Sequence, residues 1–167
     1  NEVCLIDDVN LLKSLVFYRE LANPFVLLFQ QDNAEYYRPI ISLNYWLDAH
    51  LLAANPVLLH LENTLLHLMN TLLVFLIGRR VQRLTWGAPG LPLFAASLFA
   101  IHPIVTESIN WICGRSDLLA GCLVLLCVYG LLAFLDAGRK RWLTSAVICF
   151  FLAVVTKELA FGLVPGI

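Results

Sequence analysis

Residues 91–117 read LPLFAASLFAIHPIVTESINWICGRSD, and the character of the chain changes abruptly within them. The first part is almost entirely apolar, whereas one histidine, two carboxylates and one arginine follow between His102 and Asp117. A further apolar run begins directly afterwards, at Leu118. Ionisable groups are rare in membranes and usually functional. We therefore interpret residues 102–117 as a concentrated polar site between two membrane-spanning helices, at one face of a bilayer.

The composition also predicts a membrane protein. The chain has 167 residues, of which 60% are hydrophobic and only 14% are charged, whereas about 25% is usual for the charged fraction of globular domains. A chain of this length has too little interior to bury the excess. No basic cluster with interleaved aromatic residues indicates a nucleic-acid partner. Because the chain starts at Asn1 and stops in apolar sequence, we expect it to be a fragment of a longer protein.

Four apolar segments predict membrane-spanning helices, since about 20 residues are needed to cross the hydrocarbon core. They are residues 57–77, 91–112, 118–136 and 142–160. Pro103 is expected either to kink the second segment or to end it and start a short helix. Residues 78–90 carry several glycines and arginines and are predicted to form a connecting loop. The predicted fold is an all-α membrane protein with about four transmembrane helices.

Residues 1–56 are predicted to form an outer loop with amphipathic interfacial helices. Pro39 suits the first turn of a helix. The apolar residues that then recur at helical spacing are Ile40, Leu43, Leu47 and Leu51. Tyr45 and Trp46 supply aromatic rings of the kind enriched at membrane–water boundaries. This pattern favours a helix that lies in the interface.

The first predicted span carries a polar stripe, because four of its residues recur at helical spacing and share one face. They are His60, Asn63, His67 and Asn70. A polar stripe in a span faces other helices or a wet cavity rather than lipid. We favour interhelical hydrogen bonds over direct ligand contact as its function.

The basic residues predict the orientation in the membrane. The two short loops contain Arg79, Arg80, Arg83, Arg139, Lys140 and Arg141. The positive-inside rule places these loops in the cytoplasm. Asp7 and Asp8, the interfacial helices and residues 102–117 then share the outer or lumenal side.

These motifs, in this order, resemble a known family. They are Asp7-Asp8, Tyr37-Arg38-Pro39, Asn55-Pro56, Leu59-His60, His102-Pro103, Thr106-Glu107, Gly114-Arg115-Ser116-Asp117 and Lys157-Glu158. The sequence resembles the GT-C superfamily of membrane glycosyltransferases, and within it the transmembrane and tetratricopeptide-repeat O-mannosyltransferases and their bacterial relatives. The resemblance implies a partial GT-C fold and a parent protein with further spans and tetratricopeptide repeats.

The resemblance also implies an activity and a location. The expected reaction moves a sugar, mannose in that family, from dolichyl phosphate or another polyprenyl-phosphate donor to a hydroxyl group of a protein acceptor. The expected membrane is that of the endoplasmic reticulum in a eukaryote, or the inner (plasma) membrane in a bacterium. An acidic motif in the first outer loop serves catalysis in the family, which implies Asp7 as the base and Asp8 as its partner.

The chemistry of the reaction selects further candidates. Sugar transfer needs a base near the acceptor hydroxyl and cations around the leaving phosphate, where negative charge develops. Arg115 and Lys157 are the leading cations, since arginine suits bidentate phosphate contact. The complete set of substrate-binding candidates is Arg38, His102, Glu107, Arg115, Asp117 and Lys157.

Structural alternatives stand beside these assignments. Arg115 is equally explained by an ion pair with Asp117 or Glu107, and Lys157 by an intramembrane pair with a carboxylate such as Glu158. At the level of the whole protein, the alternatives are a non-catalytic membrane assembly module and part of a transporter. The transporter hypothesis lacks the internal repeat that is common in transporters.

No cofactor is required by the predicted reaction, and no metal ligands are assigned. His102 and Glu107 are predicted either to support the residues that contact the substrate or to bind a divalent metal that bridges to Asp7 and Asp8. The metal-binding alternative is the weaker of the two.

Overall fold

The structure, a computed structural model, describes residues 15–28, 38–51, 55–85 and 88–157. Its helices are α1 (residues 15–20), a 3₁₀ helix (Pro24–Leu28), α2 (Pro39–Leu51), α3 (Pro56–Thr85), α4 (Leu91–Ile101), α5 (Pro103–Asn110), α6 (Arg115–Ala137) and α7 (Lys140–Thr156). These described ranges contain no β-strand. The predicted all-α class is therefore confirmed.

Proline fixes where several helices begin. Pro39, Pro56 and Pro103 each occupy the first position of a helix, where the missing N–H costs nothing and the fixed φ angle suits the helix. The preceding side chain often supplies the cap. The amide of Val57 donates to Oδ1 of Asn55 at 3.0 Å. The helix starts are therefore set locally by the sequence.

Helix α3 is longer than the sequence predicted. Its 30 residues extend over about 45 Å at 1.5 Å per residue, which exceeds the hydrocarbon thickness of about 30 Å. The predicted loop at 78–90 is therefore wrong in its first half, because the helix continues to Thr85. Gly78 is a contact point rather than a breaker. A Cβ there would lie 3.0 Å from Cα of Pro92 in α4, so glycine allows the two helices to approach closely.

The second predicted span is broken. Helices α4 and α5 meet at His102 with a bend of 53°, and the second helix ends at Asn110. Pro103 causes the break because it cannot donate the backbone hydrogen bond that would continue α4. Of the two outcomes expected for Pro103, the structure shows an ended helix followed by a short one.

The described residues include two helices that are long and apolar enough to cross a membrane, α3 and α6. The bent pair of α4 and α5 makes a third if it is counted as one span. Helix α7 has 17 residues within the described range, or about 26 Å of helix. The described part of this membrane protein is thus all-helical with two or three candidate spans, and the predicted number of four is not confirmed.

Helices that follow one another along the chain pack as antiparallel neighbours, whereas α3 and α6 run parallel to each other. The most extensive helix contacts join α6 to α7, α3 to α4 and α3 to α6. An ion pair between Arg80 and Asp136, with 3.0 Å between N and O, joins the C-terminal ends of α3 and α6. A second ion pair joins Asp117 at the start of α6 to Lys157 after α7. The predicted basic loops therefore lie at one end of the bundle, and residues 102–117 lie at the other.

The end that carries residues 102–117 also holds a small hydrophobic core. It consists of Leu15, Tyr18, Leu27, Ile41, Tyr45, Ala49, Leu59 and Ile112. Helix α2 contributes one face to this core, while Leu47 and Leu51 on its other side are exposed. An exposed apolar face is what an interfacial helix presents to lipid. This arrangement positions α2 beside the polar residues of α3 and α6.

Candidate functional site

The most buried charge in the described chain is Arg115, at the first position of α6. Its side chain has no exposed surface. Nε donates to Oδ1 of Asn63 at 3.0 Å, and Nη2 donates to the carbonyl oxygen of Leu59 at 3.0 Å. Nη1 donates to Asp48 and, at 3.3 Å, to Oδ1 of Asn44. The guanidinium thus joins α2, α3 and α6 at one point.

Two carboxylates surround this single cation. Asp48 and Glu62 both form ion pairs with Nη1 of Arg115, the latter at 3.1 Å. Burial raises the pKa of Asp48 to about 6, although Arg115 opposes the shift, and the nearby charge of Glu62 adds to it. When both acids are ionised, the cluster therefore has one more negative charge than positive charges. Asp48 is the group that removes this excess charge, by binding a proton.

A groove of about 320 Å³ lies between α2 and α3 beside this cluster. That volume is at the lower end of the range of about 300–1,000 Å³ for small-molecule sites. Its apolar walls are formed by Leu47, Leu51, Leu58, Leu61 and Leu65. Asn44, Asp48 and Glu62 supply its polar part. The groove can therefore hold an apolar chain along its leucine walls.

The polar stripe of α3 is used for interhelical hydrogen bonds, as predicted. Asn63 donates to the carbonyl oxygen of Trp111 at 2.7 Å, and Asn70 donates to that of Leu118 at 3.0 Å. Nε2 of His67 lies 3.2 Å from the carbonyl oxygen of Ala100, near the break between α4 and α5. His60, the fourth member of the predicted stripe, is exposed.

The remaining candidates of residues 102–117 lie near the break and on α5. Nδ1 of His102 accepts from the amide of Ile104 at 3.3 Å, so the ring caps α5. His102 and Glu107 are both exposed and accessible to a ligand. The ion pairs that the sequence suggested between Arg115 and Asp117 or Glu107 are not the ones observed, because Asp48 and Glu62 lie nearer.

Lys157 is a partly buried cation directly after α7, beside the start of α6. Its side chain is 17% exposed and pairs with Asp117, which is 45% exposed. The predicted alternative partner, Glu158, lies outside the described residues, as do Asp7 and Asp8. Arg38 immediately precedes α2, and its carbonyl oxygen accepts from the hydroxyl of Ser42 at 3.3 Å.

Within the described ranges, no group of three or more histidine, cysteine, aspartate and glutamate side chains could hold a metal ion. The proposed metal arrangement also needs Asp7 and Asp8, so it stays a prediction.

The sequence patterns did not predict the roles of Asp48 and Glu62 as the carboxylate partners of Arg115. One signal for Asp48 was present, because it is the single acidic residue in the α2 sequence PIISLNYWLDAHL. A lone carboxylate in such a segment requires a cationic partner when it is buried. The sequence did not show that the partner would come from α6.

The sequence of this chain is similar to those of several known proteins. The chain is 35% identical over 114 residues to protein O-mannosyl-transferase TMTC1 of Mus musculus, covering 68% of this chain and 11% of that protein. It is 33% identical over 130 residues to protein O-mannosyl-transferase Tmtc1 of Drosophila melanogaster, covering 74% and 14% respectively.

The chain resembles the protein O-mannosyl-transferases.

A third relative extends the match. Protein O-mannosyl-transferase TMTC3 of Mus musculus is 30% identical over 152 residues, covering 81% of this chain and 15% of the relative. The mannosyltransferase-like chain thus spans 11–15% of the length of these three relatives. No protein-family model and no solved structure matches it.

The hydrogen-bonding role of the polar stripe on α3 can be tested by replacing its asparagine residues with leucine. Asn70→Leu should lower the free energy of unfolding by about 1 kcal/mol through loss of an interhelical hydrogen bond. Asn63→Leu should lower it by about 1–3 kcal/mol, because it also leaves Nε of Arg115 without an acceptor. Thermal unfolding of the purified protein in detergent measures both.

His60→Leu is the matched control for this experiment. His60 belongs to the same predicted stripe but is exposed, so its replacement should change the unfolding temperature little. If His60→Leu destabilised the protein as much as Asn63→Leu, the stripe would not act through these hydrogen bonds.

The Asp48 cluster predicts a pH dependence. Because the pKa of Asp48 rises from 3.8 to about 6 on folding, the folded protein binds a proton in that window that the unfolded chain has lost. The contribution of Asp48 to stability should therefore fall as the pH rises from about 4 to about 6. Asp48→Asn should remove this slope, and Glu62→Gln should lower the pKa of Asp48 by removing a neighbouring charge.

Unfolding temperatures measured across this pH range, with infrared detection of the protonated carboxyl group, test both statements. Asp136→Asn is the control, because its side chain is 46% exposed and pairs with Arg80 at the other end. A slope that persists in Asp48→Asn would assign the titration to another group.

Proposed function

We propose that the chain is part of an integral membrane glycosyltransferase that moves a sugar, mannose by analogy with its relatives, from a polyprenyl-phosphate donor to a protein hydroxyl. The observation that carries this proposal is the sequence similarity to protein O-mannosyl-transferases over most of the chain. The polar groups gathered at one end of the bundle support it, because they lie where a membrane-bound donor would present its sugar.

The proposed step is a direct displacement that inverts the sugar. The acceptor oxygen forms a bond to the anomeric carbon while the bond from that carbon to the phosphate oxygen breaks. Asp7 accepts the proton of the acceptor hydroxyl, and Asp8 supports it. The polyprenyl phosphate leaves with the bonding electrons and therefore needs cations nearby.

The described residues divide into those that could contact the donor and one that supports the site. Lys157 and Arg38 are the proposed cations for the leaving phosphate, with Asp117 holding Lys157 in place. His102 and Glu107 on α5 are accessible and are proposed to contact the sugar or acceptor. The guanidinium of Arg115 is enclosed by protein acceptors. We therefore assign it an indirect role, in which it holds α2 in position beside the substrate.

The groove between α2 and α3 is the proposed seat of the polyprenyl chain. Its leucine walls suit a hydrocarbon, and its polar part lies beside the Arg115 cluster. The same end of the bundle would face the lumen of the endoplasmic reticulum in a eukaryote or the outside of the inner membrane in a bacterium. The opposite, basic end would then face the cytoplasm.

A second candidate function is a non-catalytic assembly module. The observation that favours it is the structural use of Asn63, Asn70 and Arg115, whose polar atoms bond to other helices of the chain. The two functions differ in what they require of Asp7, since an assembly module needs no base.

Replacing Asp7 with asparagine tests the catalytic proposal. Asp7→Asn keeps the size and a hydrogen-bonding oxygen but cannot accept the proton. In the full-length protein it should lower the rate of sugar transfer by about 10²–10⁴-fold, with donor binding retained. Sugar transfer and donor-lipid binding are measured on the same purified variant.

A structural role for Asp7 predicts a different result, because asparagine caps helices about as well as aspartate. Transfer and stability would then both stay near normal, which would exclude Asp7 as the base. Glu20→Gln removes a carboxylate from the exposed surface of α1 and should leave transfer unchanged.

The orientation is tested by accessibility labelling in intact membranes. A cysteine placed at Lys140, the first residue of α7, should react only from the cytoplasmic side. A cysteine at the exposed position Thr106 on α5 should react only from the outer side. The reverse pattern would contradict the proposed orientation and separate the polar site from the lumenal donor.

A further inference from the structure

A cavity lies at the basic end of the bundle, far from the site described above. It measures about 90 Å³ and is lined by Leu76, Arg79, Arg80 and Arg83 of α3 and by Tyr129 of α6. The four residues of α3 share one helical face because they are three or four positions apart. Three guanidinium groups therefore converge on one small space between two spanning helices.

Arg80 is held rigidly by α6. Nη1 donates to Asp136 at 3.0 Å, and Nη2 donates to the hydroxyl of Tyr129 at 3.2 Å. Its guanidinium carbon also lies 4.6 Å from the centre of the Tyr129 ring. The side chain of Arg80 is 18% exposed. One wall of the cavity is thus fixed in position, with the charge of Arg80 balanced by Asp136.

Arg79 and Arg83 have no such balance. Both are exposed, and no carboxylate among the described residues lies within 4.0 Å of either guanidinium. The charged group of Arg79 lies 5.9 Å from the ring of Phe75, an uncharged neighbour. No described carboxylate therefore neutralises these two positive charges at the cavity, and a bound anion would do so.

The position of the cavity indicates which anion. Helix α3 exceeds the hydrocarbon thickness, so its last turns lie among lipid head groups. The cavity is well below the volume of about 300–1,000 Å³ that is usual for small-molecule sites, and only a small group such as a phosphate fits. Leu72 and Leu76 continue the same helical face towards the membrane centre, where a hydrocarbon chain attached to that phosphate would run.

We propose that this cavity binds the head-group phosphate of an anionic phospholipid, with Arg79 and Arg83 as its ligands and Arg80 as a fixed wall. Basic pockets between transmembrane helices are suited to such head groups. The acyl chains lie along Leu72 and Leu76. The site is independent of the proposed glycosyltransferase activity and lies at the opposite end of the bundle.

Native mass spectrometry of the full-length protein in detergent tests the proposal. The probes are phosphatidylglycerol and phosphatidylcholine with identical acyl chains, and the readout is the affinity of each lipid adduct. The unaltered protein should prefer phosphatidylglycerol. Arg79→Gln and Arg83→Gln should each lower its affinity for phosphatidylglycerol by about fivefold, with little change for phosphatidylcholine. Both arginines are exposed, so the variants should fold, and their helix content verifies this.

The matched control removes two charges at the same end but outside the cavity. Arg139→Gln combined with Lys140→Gln should change the affinity for phosphatidylglycerol by less than about twofold. The comparison is with the double variant that combines Arg79→Gln and Arg83→Gln. If the control lost as much affinity for phosphatidylglycerol as this double variant, binding would reflect a diffuse basic surface, and the proposal would be overturned. Undiminished affinity in the Arg79/Arg83 variant would also overturn it.

Competition with inorganic phosphate distinguishes a site for a lipid from a site for a free anion. It should not displace phosphatidylglycerol when both are present at the same concentration, because it lacks the acyl chains that contact Leu72 and Leu76. Displacement under these conditions would identify a free anion as the ligand and overturn the assignment to a lipid.

Discussion

The guanidinium of Arg115 is enclosed by protein, so its hydrogen bonds and its charge have to be satisfied by other parts of the chain. A buried cation without partners would cost several kcal/mol. The acceptors come from α2 through Asp48 and from α3 through Asn63 and the Leu59 carbonyl. Because these groups lie far apart in sequence, the cation is satisfied only when α2 is docked on the N-terminal ends of α3 and α6. The position of α2 thus depends on one side chain of α6.

The same requirement explains the polar stripe of α3. A proline between two apolar helices ends the hydrogen-bond ladder and leaves carbonyl groups without intrahelical partners, which is costly in lipid. His67 lies against the Ala100 carbonyl at the break, and Asn63 reaches the Trp111 carbonyl after α5. The stripe thus compensates for the broken span. Helix α5 can therefore bend away from α4 by 53°, and His102 and Glu107 are exposed there.

The two ends of the bundle have opposite electrostatic character. At the end with Arg115, carboxylates outnumber the enclosed cation, and burial raises the pKa of Asp48 into the mildly acidic range. At the other end, three arginines line a small cavity, and among the described residues a carboxylate balances only one of them. The proposed glycosyltransferase site lies at the first of these ends, and the proposed site for a lipid phosphate lies at the second. The length of α3 separates the two kinds of chemistry.

The sequence by itself determined the helical class and the membrane character. It also indicated that Pro103 would either kink or end the second apolar segment, and it favoured interhelical hydrogen bonds for the α3 stripe. These depend on composition, helical spacing and proline geometry, which are local properties of the chain. Only the tertiary structure decided that Arg115 pairs with Asp48 and Glu62 rather than with Asp117, its neighbour in sequence. It also decided that α3 continues past Gly78, where the close approach of Pro92 requires a residue without a side chain. The reason is that ion pairs and close helix contacts depend on which segments meet in space, and periodicity along one helix does not contain that information.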